Sequence, residues 1–313
     1  MELGQLRALR EVQARGSIAA AALALNVTPS SVSQQLAALQ RRAGTALTYK
    51  AGRRTALTPA GLALCRATVD VEVALARADD AVAAFRDSPS EPVSVAAFHS
   101  AGLAFFGPLA QALAGDGGPR LSFADQDVAQ QDFAALTADY DVVVAHRLPN
   151  GPPWPATVAV VPLAFEPLDV AVGATHRLAG RNSLRPSELR GERWISVHHG
   201  FALEGAIEMI GTLAGQEVTV AHRINEFFVA ASVVEGGGCI SLMPRFTVNR
   251  KQFPHLVLIP LAEPRLGRRI DILARPEALE RAGVRHVVAA LQAVMAELVE
   301  AGPGPGPILL DHA

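Results

Sequence analysis

The chain has 313 residues and a formal net charge of −2, but residues 1–66 hold nine Lys and Arg against two acids, whereas the rest holds nineteen against twenty-eight. A head of net +7 on a body of net −9 suits a polyanion only at the head. Cys65 and Cys239 stand far apart, so neither a disulfide framework nor a cysteine-rich zinc site is suggested; no apolar run reaches membrane-spanning length and no signal peptide is evident, so the expected location is the cytoplasm.

The first informative elements lie between Arg15 and Gly61. Ser17 is a helix N-cap, because its hydroxyl can accept a free N–H of the first turn of a short helix over Ile18 to Leu25. Asn26 tolerates a left-handed backbone and ends that helix. Thr28 followed by Pro29 starts a second helix, with a capping hydroxyl and then a proline where the missing N–H costs nothing. Val32, Leu36 and Leu39 form its apolar stripe. Ser30, Ser31, Ser33, Gln34 and Gln35 form the opposite face, short hydroxyls and amides able to reach base edges and phosphates. A solvated surface would look the same in isolation. The neighbouring hairpin decides the reading: Leu47 to Lys50, a turn containing Gly52, Arg53 and Arg54, and a returning strand from Thr55 to Leu57. A basic hairpin beside a polar helix is a wing that can grip phosphate or enter the minor groove. The candidate DNA contacts are therefore Ser17, Thr28, Pro29, Ser30, Ser31, Ser33 and Gln34 from the helices, and Lys50, Arg53, Arg54 and Thr55 from the wing.

Thr58 and Pro59 repeat the starting device, and residues 62–85 contain neither proline nor glycine. Leu64, Val71, Leu75, Val82 and Phe85, with Thr68 and Ala78 between, alternate in steps of four and three, the seam of a coiled coil that would pair two copies. Residues 87–92 read as a hinge.

From Val93 the pattern becomes α/β, with strands expected over 93–98, 121–124, 141–145, 158–163, 168–172, 194–197, 218–224, 240–244, 256–260 and 269–273. Helices between them imply parallel pairing. Gly236 to Gly238 follow a helix rather than a strand, so they stop a helix and do not cradle a phosphate. The tail, residues 302–313, opens on alternating Gly and Pro and is expected to be disordered. Ligands of α/β domains sit beyond the carboxyl ends of strands and near helix N-termini. That rule selects His99, Ser100 and Ala101, with Ser100 capping the first helix, then His146, and His198, His199, Phe201, Asn225 and Phe227. Histidines, aromatics and a helix start suit a small anionic or aromatic metabolite. No cofactor or metal site is expected, and no nucleophile elbow marks an enzyme.

The first 65 or so residues resemble the DNA-binding domain of LysR-type transcriptional regulators. The resemblance rests on Gly16-Ser17, Ala20-Ala21, the run from Thr28 to Leu36, and Leu57 to Gly61. Where that family usually has Leu-Phe-x-Arg before the wing, this chain has Leu47-Thr48-Tyr49-Lys50. Gln34 replaces a common arginine, and Gln40 a common glutamate. These departures bear on operator preference, not on the fold. Leu136-x-x-x-x-Asp141 and the run ending at Pro244 resemble the same family's effector domain. The implied fold is α/β, an N-terminal winged helix-turn-helix with a long linker helix, then a two-lobed domain like periplasmic binding proteins. The expected division is residues 1–61 for DNA binding, 62–90 for the dimerising helix and hinge, and 91–301 for effector binding. Lobe one takes 91–162 and 268–301, lobe two takes 163–267, and crossover strands lie near 161–168 and 261–268. The implied function is a sequence-specific, effector-responsive transcription regulator. Its partners would be double-stranded DNA, a small effector, RNA polymerase, and itself as a homodimer or tetramer, with no membrane. A solute-binding or enzymatic domain carrying a DNA-binding head, or a ligand-independent architectural binder, remains an alternative.

Overall fold

In a computed structural model, residues 1–83, 91–115, 118–199, 201–248 and 252–301 are described. The expected disordered tail, most of the hinge and Phe85 lie outside these residues.

Three helices open the chain: α1 (Leu3–Arg15), α2 (Ile18–Ala24) and α3 (Pro29–Ala43). Leu9, Val12, Ala21, Val32, Leu36 and Leu39 bury their side chains in a shared core. The Ser17 hydroxyl accepts from Ala20 N at 3.0 Å and the Thr28 hydroxyl from Ser31 N at 3.2 Å. Asn26 takes φ 54°, the left-handed turn its short amide tolerates. Strands β1 (Thr48–Ala51) and β2 (Arg54–Leu57) then form an antiparallel hairpin. Thr55 N donates to Gly16 O at 2.8 Å, which ties the hairpin to the first helical corner.

Helix α4 (Pro59–Ala83) leaves at once, with the Thr58 hydroxyl accepting from Gly61 N at 3.1 Å. Gly61 is required there, because a Cβ would stand 2.1 Å from Leu47 O. The side of α4 that carries Cys65, Thr68 and Glu72 is buried against the head, while Val71, Leu75 and Val82 are exposed. Thr68 of the expected seam is therefore enclosed, and the open stripe starts three residues later.

Lobe one is built from β3 (Val93–Ala97), α5 (His99–Ala112), β4 (Leu121–Asp125), α6 (Phe133–Leu136), β5 (Val142–Arg147), the first half of β6 (Ala159–Gly173), β11 (Gly267–Ala274) and α9 (Ala282–Ala301). Lobe two holds the second half of β6, then β7 (Arg193–Ser196), α7 (Ala202–Ala214), β8 (Thr219–Arg223), α8 (Phe227–Glu235), β9 (Ile240–Pro244) and β10 (Leu256–Ile259). The strands run in the order β4-β3-β5-β11-β6-β9-β7-β8, with β10 also on β6. Parallel pairing holds for β3 with β4 and β5, and for β7 with β8 and β9. It fails along β11 and β6, which pair antiparallel with each other and with their neighbours, so the sheet is mixed.

Two expectations need correction. The strands expected over 158–163 and 168–172 are one strand of 15 residues, β6, shared by both lobes. The second crossover does not begin near residue 261. Residues 261–266 contain the cis Glu263–Pro264 bond and a proline with no N–H to give a ladder, and β11 starts at Gly267. Lobe one packs Val95, Phe105, Val144, Ile272, Val287 and Leu291 into one core. Lobe two buries both sheet faces, Val170 and Val172 on one side and Ala171 with Ile195 on the other. Helix α9 is long and apolar enough to cross a membrane by length and composition, and it packs Val284, Val287, Leu291 and Met295 into lobe one.

Ion pairs join the head to lobe one. Arg10 bridges Glu72 of α4 and Glu277, the latter at 2.9 Å; Arg15 reaches Asp139 at 2.8 Å; Arg275 reaches Glu11 at 2.7 Å.

Candidate functional site

The structure presents two candidate surfaces. On the head, Thr28, Pro29, Ser30, Ser33 and Gln34 are exposed at the start of α3, and Ser31 is half-buried. Lys50, Arg53 and Arg54 stand exposed on the hairpin, with Arg41 and Arg42 at the end of α3. No ion pair engages these five cations among the described residues. Ser33 donates to Pro29 O at 2.9 Å, leaving its oxygen lone pairs free. Gln40 has an internal role: its Oε1 accepts from Leu47 N at 2.9 Å and Thr48 N at 3.2 Å and fixes the wing to α3. An amide oxygen does there what a carboxylate oxygen could.

The second surface is the cleft between the lobes, a cavity of about 630 Å³ including solvent at its mouth. Phe98, Leu148, Leu168, Phe201, Leu203 and Phe227 are among its apolar walls, and such walls with a few polar groups are the usual composition of a small-molecule site. At its floor Arg268, only 4% exposed, lies over the Phe98 ring at 4.7 Å and the Phe227 ring at 5.6 Å. Its Nε donates to fully buried Glu166 at 2.9 Å, and its Nη2 donates to Ser100 Oγ at 3.0 Å and Thr247 Oγ1 at 2.9 Å. Glu166 also accepts from the backbone N–H groups of Phe246 and Thr247 at 2.9 and 2.7 Å. This hub joins Glu166 of β6, its cross-strand partner Arg268 of β11, Ser100 of lobe one and Thr247 of lobe two.

At the mouth, His99 of lobe one contacts Asp125 through Nδ1 and reaches Glu226 of lobe two through Nε2 at 2.9 Å. Ligand atoms of His99, Asp127 and Glu226 lie within 4.8 Å of one another, a spacing that could also hold a metal ion. Burial raises the Asp127 and Glu226 carboxyls above their ordinary values; His99 opposes this in both, and nearby carboxylates add to it. Burial, and then the Arg268 charge, push His146 down to about 3, so its imidazole is neutral. It meets Phe98 edge-on at 4.6 Å.

A model of the bacterial regulatory helix-turn-helix protein, lysR family, matches residues 3–62, and a model of the LysR substrate binding domain matches residues 86–296. The chain belongs to the LysR family. Among relatives, it is 28% identical over 274 residues to a probable hydrogen peroxide-inducible genes activator of Mycobacterium avium, covering 86% of each chain. It is also 28% identical over 125 residues to a probable nitrogen assimilation transcriptional activator of Synechococcus elongatus, a match spanning 40% of each protein. Full-length OxyR of Pseudomonas aeruginosa superposes with a TM-score of 0.67 at 17% identity, covering 98% of this chain and 99% of that one. The chain is a LysR-type DNA-binding transcriptional regulator with an effector-binding domain. Its two thiols, Cys65 and Cys239, are both buried and free, and neither lines the cleft. Burial pushes Cys65 up to about 12, against a smaller opposing pull from Arg10, so it stays protonated and unreactive.

Of the effector residues expected in this LysR chain, His99, Ser100, His146, Phe201, Asn225 and Phe227 line the cleft. Ala101 is fully buried in the lobe-one core. His198 borders the site through its backbone, donating to Asn225 Oδ1 at 2.8 Å, and His199 turns to Glu204 at 2.7 Å. Ser100 is not the cap of α5: the helix begins two residues earlier than that, with Phe98 at the N-cap, and the Ser100 hydroxyl accepts from Arg268. It is thus part of the hub. Asp127, Glu226 and Arg268 were not expected. The strand-end rule could have found Asp127, two residues after β4, and Glu226 between Asn225 and Phe227. Arg268 carries no local signal.

Proposed function

We propose that this LysR-type regulator reads double-stranded DNA as a homodimer or tetramer and answers to a small molecule held between its lobes. Residues 1–61 would bind DNA, 62–90 would pair two copies, and 91–301 would sense the effector. Ser31, Ser33, Gln34 and Thr28 would contact bases or flanking phosphates, while Lys50, Arg53 and Arg54 hold the backbone or the minor groove. The observation that carries this reading is the concentration on the wing, beside a polar helix start, of exposed cations with no ion pair among the described residues. The exposed stripe Val71, Leu75 and Val82 supports α4 as the pairing helix, and two heads a fixed distance apart can read two half-sites. Effector closure of the lobes would change how dimers pack and thereby how DNA bends. The chain would act by binding alone, in the cytoplasm, without catalysis and with RNA polymerase as a further partner.

The test is binding to the DNA upstream of its own coding sequence, followed by fluorescence anisotropy over a range of salt. Changing Arg53 and Arg54 together to Ala should weaken binding across sequences and lower the salt slope by about 2, because each phosphate contact contributes roughly 0.9. Unchanged affinity at low salt would refute the wing assignment.

A further inference from the structure

We propose that the effector is an organic cation, a protonated amine carried on an apolar body of aromatic size. This rests on the reading of the cleft as the effector site and assigns the charge of what enters it.

The charges around the cavity decide the sign. Arg268, the cation at the floor, is held by Glu166 and hydrogen-bonded to Ser100 and Thr247. The pair sums to zero. His146 is neutral. Among the described residues, what remains at the mouth is Asp125, Asp127 and Glu226 against the imidazole of His99. Three carboxylates outweigh that imidazole even when it is protonated, leaving a net −2. The starts of α5 and α8 also face this region, since Phe98 and Glu226 are their N-caps. Each contributes roughly half a positive charge. Together they offset about one of the two, and the mouth stays negative. A carboxylate entering here would meet like charge, and its most natural partner, Arg268, is already taken. An ammonium between Asp127 and Glu226 would instead neutralise two carboxylates that the site now holds close together, the Glu226 carboxylate partly out of water.

The walls select the rest of the ligand. Phe98, Leu148, Leu168, Phe201 and Phe227 offer apolar surface in the same cavity that Asp127 and Glu226 line. A bare metal ion would leave that surface facing water; an amine with a ring or branched chain would cover it. The same geometry gives a mechanism. His99 bridges the lobes through Glu226 in this structure. An ammonium taking the Glu226 carboxylate would replace that bridge with one that runs through the ligand.

The experiment uses the full-length protein and three probes of matched skeleton, 2-phenylethylamine, 2-phenylethanol and phenylacetate, with zinc and manganese chloride in parallel. Melting temperature and calorimetric affinity are read for each. The expected result is that the amine binds at least tenfold more tightly than the alcohol or the acid. Glu226→Gln and Asp127→Asn should each remove that advantage, bringing the affinity for the amine down to that for the alcohol. Preference for phenylacetate would overturn the charge assignment and leave the cleft reading standing. Binding of metal but no organic probe would overturn the amine in favour of an inorganic ion. Amine binding that survives Leu148→Trp, which fills the cavity, would sink the cleft reading and this proposal together. So would the absence of any binding.

Discussion

On the helix-turn-helix and its wing, Arg41, Arg42, Lys50, Arg53 and Arg54 are exposed and engage no carboxylate among the described residues. At the lobe junction, Arg268 is enclosed and committed to Glu166, Ser100 and Thr247. The seam between head and lobe one lies between these extremes, with Arg10 sharing two glutamates at partial exposure. An exposed cation keeps its field, so it can neutralise a phosphate and release the counterion condensed on an arriving polyanion. A buried cation has none of that freedom, because taking it out of water is tolerable only if a partner anion and hydrogen bonds replace the solvent. On the proposed reading the free cations of the head would serve binding, whereas the neutralised Arg268 ties the two lobes together.

The sharpest way to break this contrast is to remove the partner of the buried cation. Glu166→Leu should cost about 3–5 kcal/mol in urea unfolding, the usual result of stranding a buried charge. The double variant Glu166→Leu with Arg268→Met should recover most of the loss. A single variant as stable as the parent would mean the junction is wetter than its geometry implies.

Much of the head was legible because its signals are local. Thr28-Pro29, Asn26 and Thr58 each act within a few residues of themselves, and the wing lies close by in the chain. The junction was not. Glu166 and Arg268 are 102 residues apart, and only the antiparallel pairing of β6 with β11 makes them partners. No pattern near either residue announces the other. The same holds at the cleft mouth, where Glu226 meets His99 across the lobes. Ser100 was found by a local rule but has a different role, since its hydroxyl serves an arginine from a distant strand.

A smaller effect tests the neutral imidazole beside the hub. Burial lowers the His146 pKa from an ordinary 6.5 to about 3, so its share of stability is complete above pH 6.5 and is lost as pH falls toward 3. Between pH 7.5 and pH 5 the loss should be about 2 kcal/mol, from 1.36 kcal/mol per pH unit below 6.5. Denaturation at both pH values should show that difference shrink in His146→Leu. An undiminished difference would assign the acid sensitivity to other groups.

The smallest change is expected at the seam. Glu277→Gln leaves Arg10 its second partner, Glu72, so stability should fall by no more than about 1 kcal/mol and DNA affinity should hold. A tenfold change in DNA affinity would move the seam from the structural class to the functional one.

Strand β6 has a consequence for which sequence changes the molecule can accept. Its pairing with β11 ends at Pro167 and its pairing with β9 begins at Leu168, with no spacer between them. Alternate side chains point to opposite faces, so one inserted residue at that point would turn every lobe-two position over. Val170 and Val172 would be driven into the space of Ala171, and Ala171 into theirs. Loops of this protein can lengthen at little cost, but insertions and deletions inside this strand should be tolerated only in pairs.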